Sequence, residues 1–209
     1  MRAHMHTFVT CAPMYAKTQS HVRYIVPRGW VGFGLKLPPR AETLQIEQWC
    51  VSFHGVSKTE VLHSILDCGQ LMKAGDRLLD GTKLRSSKCA GRQDEVFYTS
   101  PTVKYAGLKF YAEPHLFDAE EEGGDLAASI VVQVRQKPGS FTTQGETMGF
   151  RRWPGYLEKW CPHTDLGGLE WKSDMNVGTI PYRVLVRVYP RDEAQLTPGE
   201  RTPYSSPVD

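Results

Sequence analysis

Cysteine is sparse in this chain and badly arranged for joint work. The five cysteines, Cys11, Cys50, Cys68, Cys89 and Cys161, are scattered, with no CxxC pair among them. That spacing makes a poor disulfide framework and supplies no tetrahedral zinc set, so reduced thiols and no bound metal are expected. Long apolar runs are also missing, and nothing approaches the roughly 18–20 residues that a membrane span needs. An excess of either charge is absent too: Lys plus Arg number 25 against 23 for Asp plus Glu. Such a balance offers no concentrated basic face for nucleic acid, which is therefore an unlikely partner. Neither GxGxxG nor GxxxxGK[ST] occurs, which removes the usual phosphate-cradling loops. The first residues contain no continuous apolar core of a secretory signal. A cytoplasmic monomer is expected, or one delivered by a specialised export system into a host cytosol.

What the chain does contain is enough apolar residue, 40% of 209 positions, for one real core. Residues 1–27 lack a clear period and read as an extension without regular structure. The polar tail 191–209 carries Pro198, Pro203 and Pro207 and reads as solvated. Between them, residues 28–190 form one domain of short strands with few helices.

Trp49 to His54 alternates with period two and predicts a strand that Gly55 halts. Ser57-Lys58-Thr59-Glu60 fits a capping box. Behind it, Val61, Leu62, Ile65 and Leu66 predict one apolar helix stripe, and Gly69 ends it. Residues 70–94 are irregular and basic, with an Asp80-Gly81 turn. Residues 95–99 predict a short strand. Ser100-Pro101 then starts a helix, with serine as the cap, that runs through Tyr105 toward Phe110. The acidic run 118–122 reads as a solvated loop. Residues 129–135 (SIVVQVR) and 182–189 (YRVLVRVY) are strong strands, the second with valines on one face and Arg183 and Arg187 on the other. The spacing of strands gives no regular βαβ repeat, so the class is α+β rather than a doubly wound parallel sheet.

Three short motifs carry chemistry: Phe53-His54-Gly55 at a strand end, Phe97 to Ala106 across a strand and helix, and Gly168-Leu169-Glu170-Trp171 before the last strong strand. Alone, each has an ordinary structural explanation, in a satisfied histidine, core tyrosines or a surface carboxylate. In this order they resemble the His-Tyr-Glu ADP-ribosyltransferases, which include the poly(ADP-ribose) polymerases and diphtheria-toxin-like enzymes. Gly29-Trp30, Trp49, His54-Gly55, Thr99-Ser100-Pro101, Tyr105-Ala106, Gln144-Gly145-Glu146-Thr147 and Leu169-Glu170-Trp171 further resemble the transferase-like domain of some neuralized-like proteins. Bacterial effectors of similar build ADP-ribosylate ubiquitin on threonine.

The resemblance spans residues 28–190 and implies a split β-sandwich of two small, mainly antiparallel sheets around an NAD cleft. It implies NAD as co-substrate and a protein acceptor, with ubiquitin as the specific candidate. By the same resemblance His54 bonds the adenosine-side ribose, and Glu170 lies beside the cationic nicotinamide ribose that forms as the glycosidic bond breaks. Gly55 leaves the backbone open to the nicotinamide carboxamide. Tyr98 and Tyr105 sandwich the ring, for which the aromatic face rather than the hydroxyl matters. Thr102 adds a hydroxyl to the carboxamide, and Arg85 or Arg92 reaches the pyrophosphate. Two rivals stand beside these assignments: Phe97 for Tyr98, by a one-residue slip, and Glu146 for Glu170. Arginine-modifying relatives carry a second Glu or Gln two residues before the catalytic acid, where this chain has Gly168. An NAD glycohydrolase, a binding module without turnover and a tRNA 2′-phosphotransferase relative are the other readings.

Overall fold

The computed structural model describes residues 27–84, 96–119, 124–145, 168–174 and 178–192, and the backbone of three short strands before them. Those first strands are β1 (Met5–Thr7), β2 (Tyr15–Lys17) and β3 (Arg23–Ile25), followed by β4 (Val31–Gly34). Helix α1 (Arg40–Thr43) leads through a single 3-10 turn into β5 (Cys50–Val56) and helix α2 (Thr59–Cys68). Strand β6 (Phe97–Thr99) and helix α3 (Val103–Ala106) come next. The chain continues with β7 (His115–Ala119), β8 (Gly124–Gln136), β9 (Thr142–Gln144), β10 (Glu170–Ser173) and β11 (Thr179–Pro190).

The protein is of the α+β class: short helices beside two main sheets, and every strand pairing among the described residues is antiparallel. The larger sheet runs β1-β4-β11-β8-β5, and the smaller runs β6-β10-β9. Strand β8 organises the first of these. One of its edges pairs with β11 throughout, while the other is shared, β7 taking residues 124–128 and β5 taking residues 130–136. Alternation along β8 then builds two cores. Val132 and Val134 face Val56, Ile65 of α2, Leu71 and Phe97, whereas Val131 faces Trp30, Phe53, Val103, Ala106 and Leu185. Each fully buried aliphatic side chain of this kind contributes about 1.5–3 kcal/mol from leaving water. Both faces of β8 are covered over residues 131–134, which is why valines stand on each side of the strand there.

Several local expectations change. Strand β5 does not stop at Gly55 but continues to Val56, because residues 50–56 stay in register with β8. Helix α2 begins at Thr59 with Lys58 as its cap and no side-chain capping bond. Glu60 is therefore at the second helical position, one short of where a capping box requires it. Gly69 does end the helix, with φ +64° and its N–H bonded to the Ile65 carbonyl at 2.9 Å. The Asp80-Gly81 turn also forms, with Gly81 at φ +82°. The strand over 95–99 begins at Phe97. Asp118 and Ala119 are strand residues at the end of β7 rather than loop. The N-terminal extension supplies strands, and β1 pairs with β4 at the sheet edge. In β11 the arginine-bearing face is as buried as the valine face: Leu185 is fully buried, whereas Val188 is exposed. No helix among the described residues is long and apolar enough to cross a membrane.

Candidate functional site

The two sheets meet where β5 touches the start of the β6–α3 connection. Phe53 and Ser100 exchange a pair of backbone hydrogen bonds, at 2.8 and 2.9 Å. Ser100 is thus bridged to β5 just beyond β6, two residues before the helix cap, and its Oγ accepts from the Thr102 N–H at 3.3 Å. The cap is Thr102, whose Oγ1 accepts from the Lys104 N–H at 3.2 Å, and α3 is a single turn. Thr102 is buried with its oxygen at the helix start, so it caps the helix rather than lying one turn inside it.

A buried polar knot reinforces the junction. The Gln136 side-chain carbonyl accepts from Ser52 Oγ at 2.9 Å and from Thr99 Oγ1 at 2.7 Å, linking β8, β5 and β6 through one fully buried group. Ser52 is two residues before His54, and Thr99 immediately follows Tyr98, so the knot also fixes how those two approach. His54 Nδ1 donates to the Tyr98 carbonyl oxygen at 2.8 Å. Burial lowers the imidazole pKa below its ordinary value of 6.5, against the opposing effect of that carbonyl. The neutral ring with its proton on Nδ1 turns Nε2 into a hydrogen-bond acceptor.

The register of the small sheet settles which aromatic of β6 shares a face with the acid. Lys172 pairs with Tyr98, and Glu170 pairs with Gln144. Residues directly opposite, and residues two apart on one strand, share a face. Tyr98, Lys172, Glu170 and Gln144 therefore lie together, while Phe97 turns the other way into the apolar core under α2. The slip that would have exchanged Phe97 for Tyr98 does not occur.

Glu170 itself is 2% exposed, and among the described residues three side chains reach its carboxylate. Tyr105 Oη donates to Oε1 at 2.5 Å, Tyr111 Oη lies 3.3 Å from the same oxygen, and Gln144 Nε2 donates to Oε2 at 3.0 Å. The two phenol oxygens are 2.7 Å apart, and their rings are tilted by 45° with centroids separated by 5.1 Å. Burial, with Tyr111 and Glu170 adding to it, raises the Tyr105 pKa far above its ordinary value of 10.0, so Tyr105 remains a hydrogen donor. Beyond the ring expected from the sequence, Tyr105 also contributes its hydroxyl. The ring leans on Tyr111, and the hydroxyl is bonded to the acid.

Gly55 has a structural reason of its own. A Cβ at this position would fall on the Ala106 carbonyl oxygen and lie 2.7 Å from Tyr111 C and 2.8 Å from Tyr111 Cβ. The missing side chain makes room for the chain's own backbone after α3. At Gly168, by contrast, a Cβ would meet nothing within 4 Å, and its carbonyl accepts from Trp171 Nε1 at 3.1 Å. Trp171 in turn stacks on Phe141, centroids 4.3 Å apart, anchoring the strand that carries Glu170.

The structure thus joins Tyr105 to Glu170, and His54 to Tyr98, and places Tyr98 and Glu170 on one sheet face. Arg85, Arg92 and the rival acid Glu146 lie outside the described residues. Tyr111 was missed by sequence reasoning. On the long helix expected there, six residues after Tyr105 mean a rotation of about 240°, onto another side. Because α3 stops at Ala106, two tight turns, Leu108 N–H to Tyr105 carbonyl at 3.1 Å and Tyr111 N–H to Leu108 carbonyl at 2.8 Å, bring Tyr111 back. Gln144 stood within a recognised motif, but its position opposite Glu170 follows only from strand pairing. No protein-family model matches the sequence.

Proposed function

We propose that the protein is a mono-ADP-ribosyltransferase that moves ADP-ribose from NAD to a protein acceptor, the acceptor being a threonine of ubiquitin. The observation that carries this reading is the buried Glu170 carboxylate, held by phenol and amide donors on the sheet face that also presents Tyr98. A split arrangement of two antiparallel sheets, joined where β5 meets β6, is the setting that the His-Tyr-Glu resemblance leads one to expect.

In the proposed reaction, the bond between nicotinamide and ribose C1′ breaks and its electron pair leaves with nicotinamide. The acceptor hydroxyl oxygen bonds to C1′, and its proton passes to a carboxylate such as Glu170. A fixed negative charge in a water-poor site stabilises the developing ribose cation more than the ground state. Tyr98 provides aromatic surface for the departing ring, and neutral His54 offers an acceptor nitrogen to a ribose hydroxyl. A neutral hydroxyl is a weak nucleophile, so holding the acceptor in place must contribute much of the rate. Docking of the protein acceptor would then set specificity. Gly168, in place of a second acid, argues against arginine as the acceptor.

Labelled NAD incubated with the protein and a cell lysate tests the class: a labelled protein band is expected. Intact NAD would leave a binding module, and free ADP-ribose without a band would leave a glycohydrolase. Mass spectrometry of ubiquitin treated with enzyme and NAD tests the acceptor, with one added ADP-ribose, stable to hydroxylamine, expected. Unmodified ubiquitin beside another labelled protein would remove the acceptor while leaving the transferase.

A further inference from the structure

We infer that Tyr111 is a positioning residue for Glu170, acting through the Tyr105 hydroxyl and seated there by Gly55. Proton counting gives the direction of the chain. Tyr105 has one hydroxyl hydrogen, and the 2.5 Å contact to Glu170 Oε1 uses it. The single Tyr111 hydrogen then goes to the Tyr105 oxygen, because that contact, at 2.7 Å, is much shorter than the 3.3 Å from Tyr111 Oη to Glu170 Oε1. A phenol oxygen that accepts a hydrogen bond becomes a better donor through its own O–H. Tyr111 therefore strengthens the bond that orients the carboxylate, while Gln144 fixes the other oxygen at 3.0 Å from the facing strand. The two anchors come from opposite directions, one from the turn after α3 and one from β9, so the carboxylate plane cannot rotate without losing one of them.

Gly55 completes the device. The Tyr111 backbone and the Ala106 carbonyl occupy the volume that any side chain at position 55 would need. The glycine beside His54 thus sets the depth at which the Tyr111 hydroxyl sits. One device spans the first and third motifs, the His54-Gly55 strand and Glu170, through a residue that belongs to none of the three.

The inference rests on the transferase reading for its catalytic meaning, and the test separates the two. Wild type, Tyr111→Phe, Glu170→Gln and the double variant are compared in NAD turnover and in urea unfolding. Tyr111→Phe keeps the ring and removes only the hydroxyl. Its kcat is expected to fall about tenfold with KM for NAD nearly unchanged, the size of one hydrogen bond that matters chiefly in the transition state. In the Glu170→Gln background the same change should have no further effect, because the group it orients is gone. Unchanged kcat in Tyr111→Phe, or losses that multiply independently in the double variant, would overturn the inference. If the wild type leaves NAD intact, the transferase reading fails and the urea midpoints decide: non-additive shifts keep Tyr111 coupled to Glu170, and additive shifts refute the coupling.

Discussion

The large sheet and the small sheet solve opposite problems. Strands β8 and β11 have 13 and 12 residues, pair with each other along almost their whole length, and bury valine and leucine on both faces. Strands β6, β9 and β10 have three or four residues each, and the interior they help to form holds Thr99, Ser173 and Glu170. The first sheet is stabilised by area removed from water, a non-directional effect that tolerates change of shape. The second depends on directional bonds to buried polar groups, each costly to leave unmade. Stability should therefore concentrate in one sheet and chemistry in the other, and substitutions can separate them.

The largest effect expected is on the large sheet. Leu185→Ala, at a fully buried site between β8 and β4, should cost about 2–5 kcal/mol of stability in urea unfolding. NAD turnover per folded molecule should hardly change, and a comparable fall in kcat would break the division between sheets. Glu170→Gln is the mirror experiment. It should lower NAD turnover roughly 10²-fold, equivalent to about 2.7 kcal/mol, while the fold survives. Retained activity would show that the acid lies elsewhere, with Glu146 the first to examine.

Gly55→Ala tests the join between the sheets. The added methyl collides with backbone, which cannot rotate away as a side-chain end can. A loss of about 1–3 kcal/mol in stability is expected, together with reduced turnover as Tyr111 is displaced. A stable, fully active variant would mean that the turn after α3 moves freely. Tyr105→Phe sharpens the comparison further. Its hydroxyl bond to Glu170 predicts a kcat loss of about tenfold, with a stability loss of about 1–3 kcal/mol from the donor removed. A harmless Tyr105→Phe would return the residue to a purely aromatic role.

The smallest effect is pH dependence at His54. Its folded pKa lies below 6.5 because burial disfavours the cation. The unfolded chain therefore binds a proton at pH values where the folded protein does not. Stability from this group is complete above pH 6.5, and it declines as pH falls from there toward the lowered folded value. Melting curves over this window should show a slope that His54→Gln removes. An unchanged slope would assign the dependence to other groups.

The same contrast explains what could be read from the chain. Strands β8 and β11, the stop of α2 at Gly69 and the turn at Asp80-Gly81 are legible because each depends on local physics: alternation of apolar residues, or the freedom of glycine at positive φ. The class, α+β with antiparallel strands, follows from such segments. His54, Tyr98, Tyr105 and Glu170 stand out as a pattern in sequence, yet their contacts do not. Ser100 is drawn from helix cap to a bridge with Phe53, the cap moves to Thr102, and Tyr111 comes back onto Glu170 after the single turn of α3. The capping box before α2 loses to the continuation of β5 through Gly55 to Val56. In each case a partner distant in sequence outweighs a local preference of roughly 1 kcal/mol. The sequence by itself determined the long strands and set Tyr98, Tyr105 and Glu170 apart as candidates, since periodicity and residue type are local properties. Only the tertiary structure decided that Tyr105 bonds through its hydroxyl, that Gly55 seats Tyr111, and that Gln144 faces Glu170. Those relations exist only once three short strands, none stable alone, have paired.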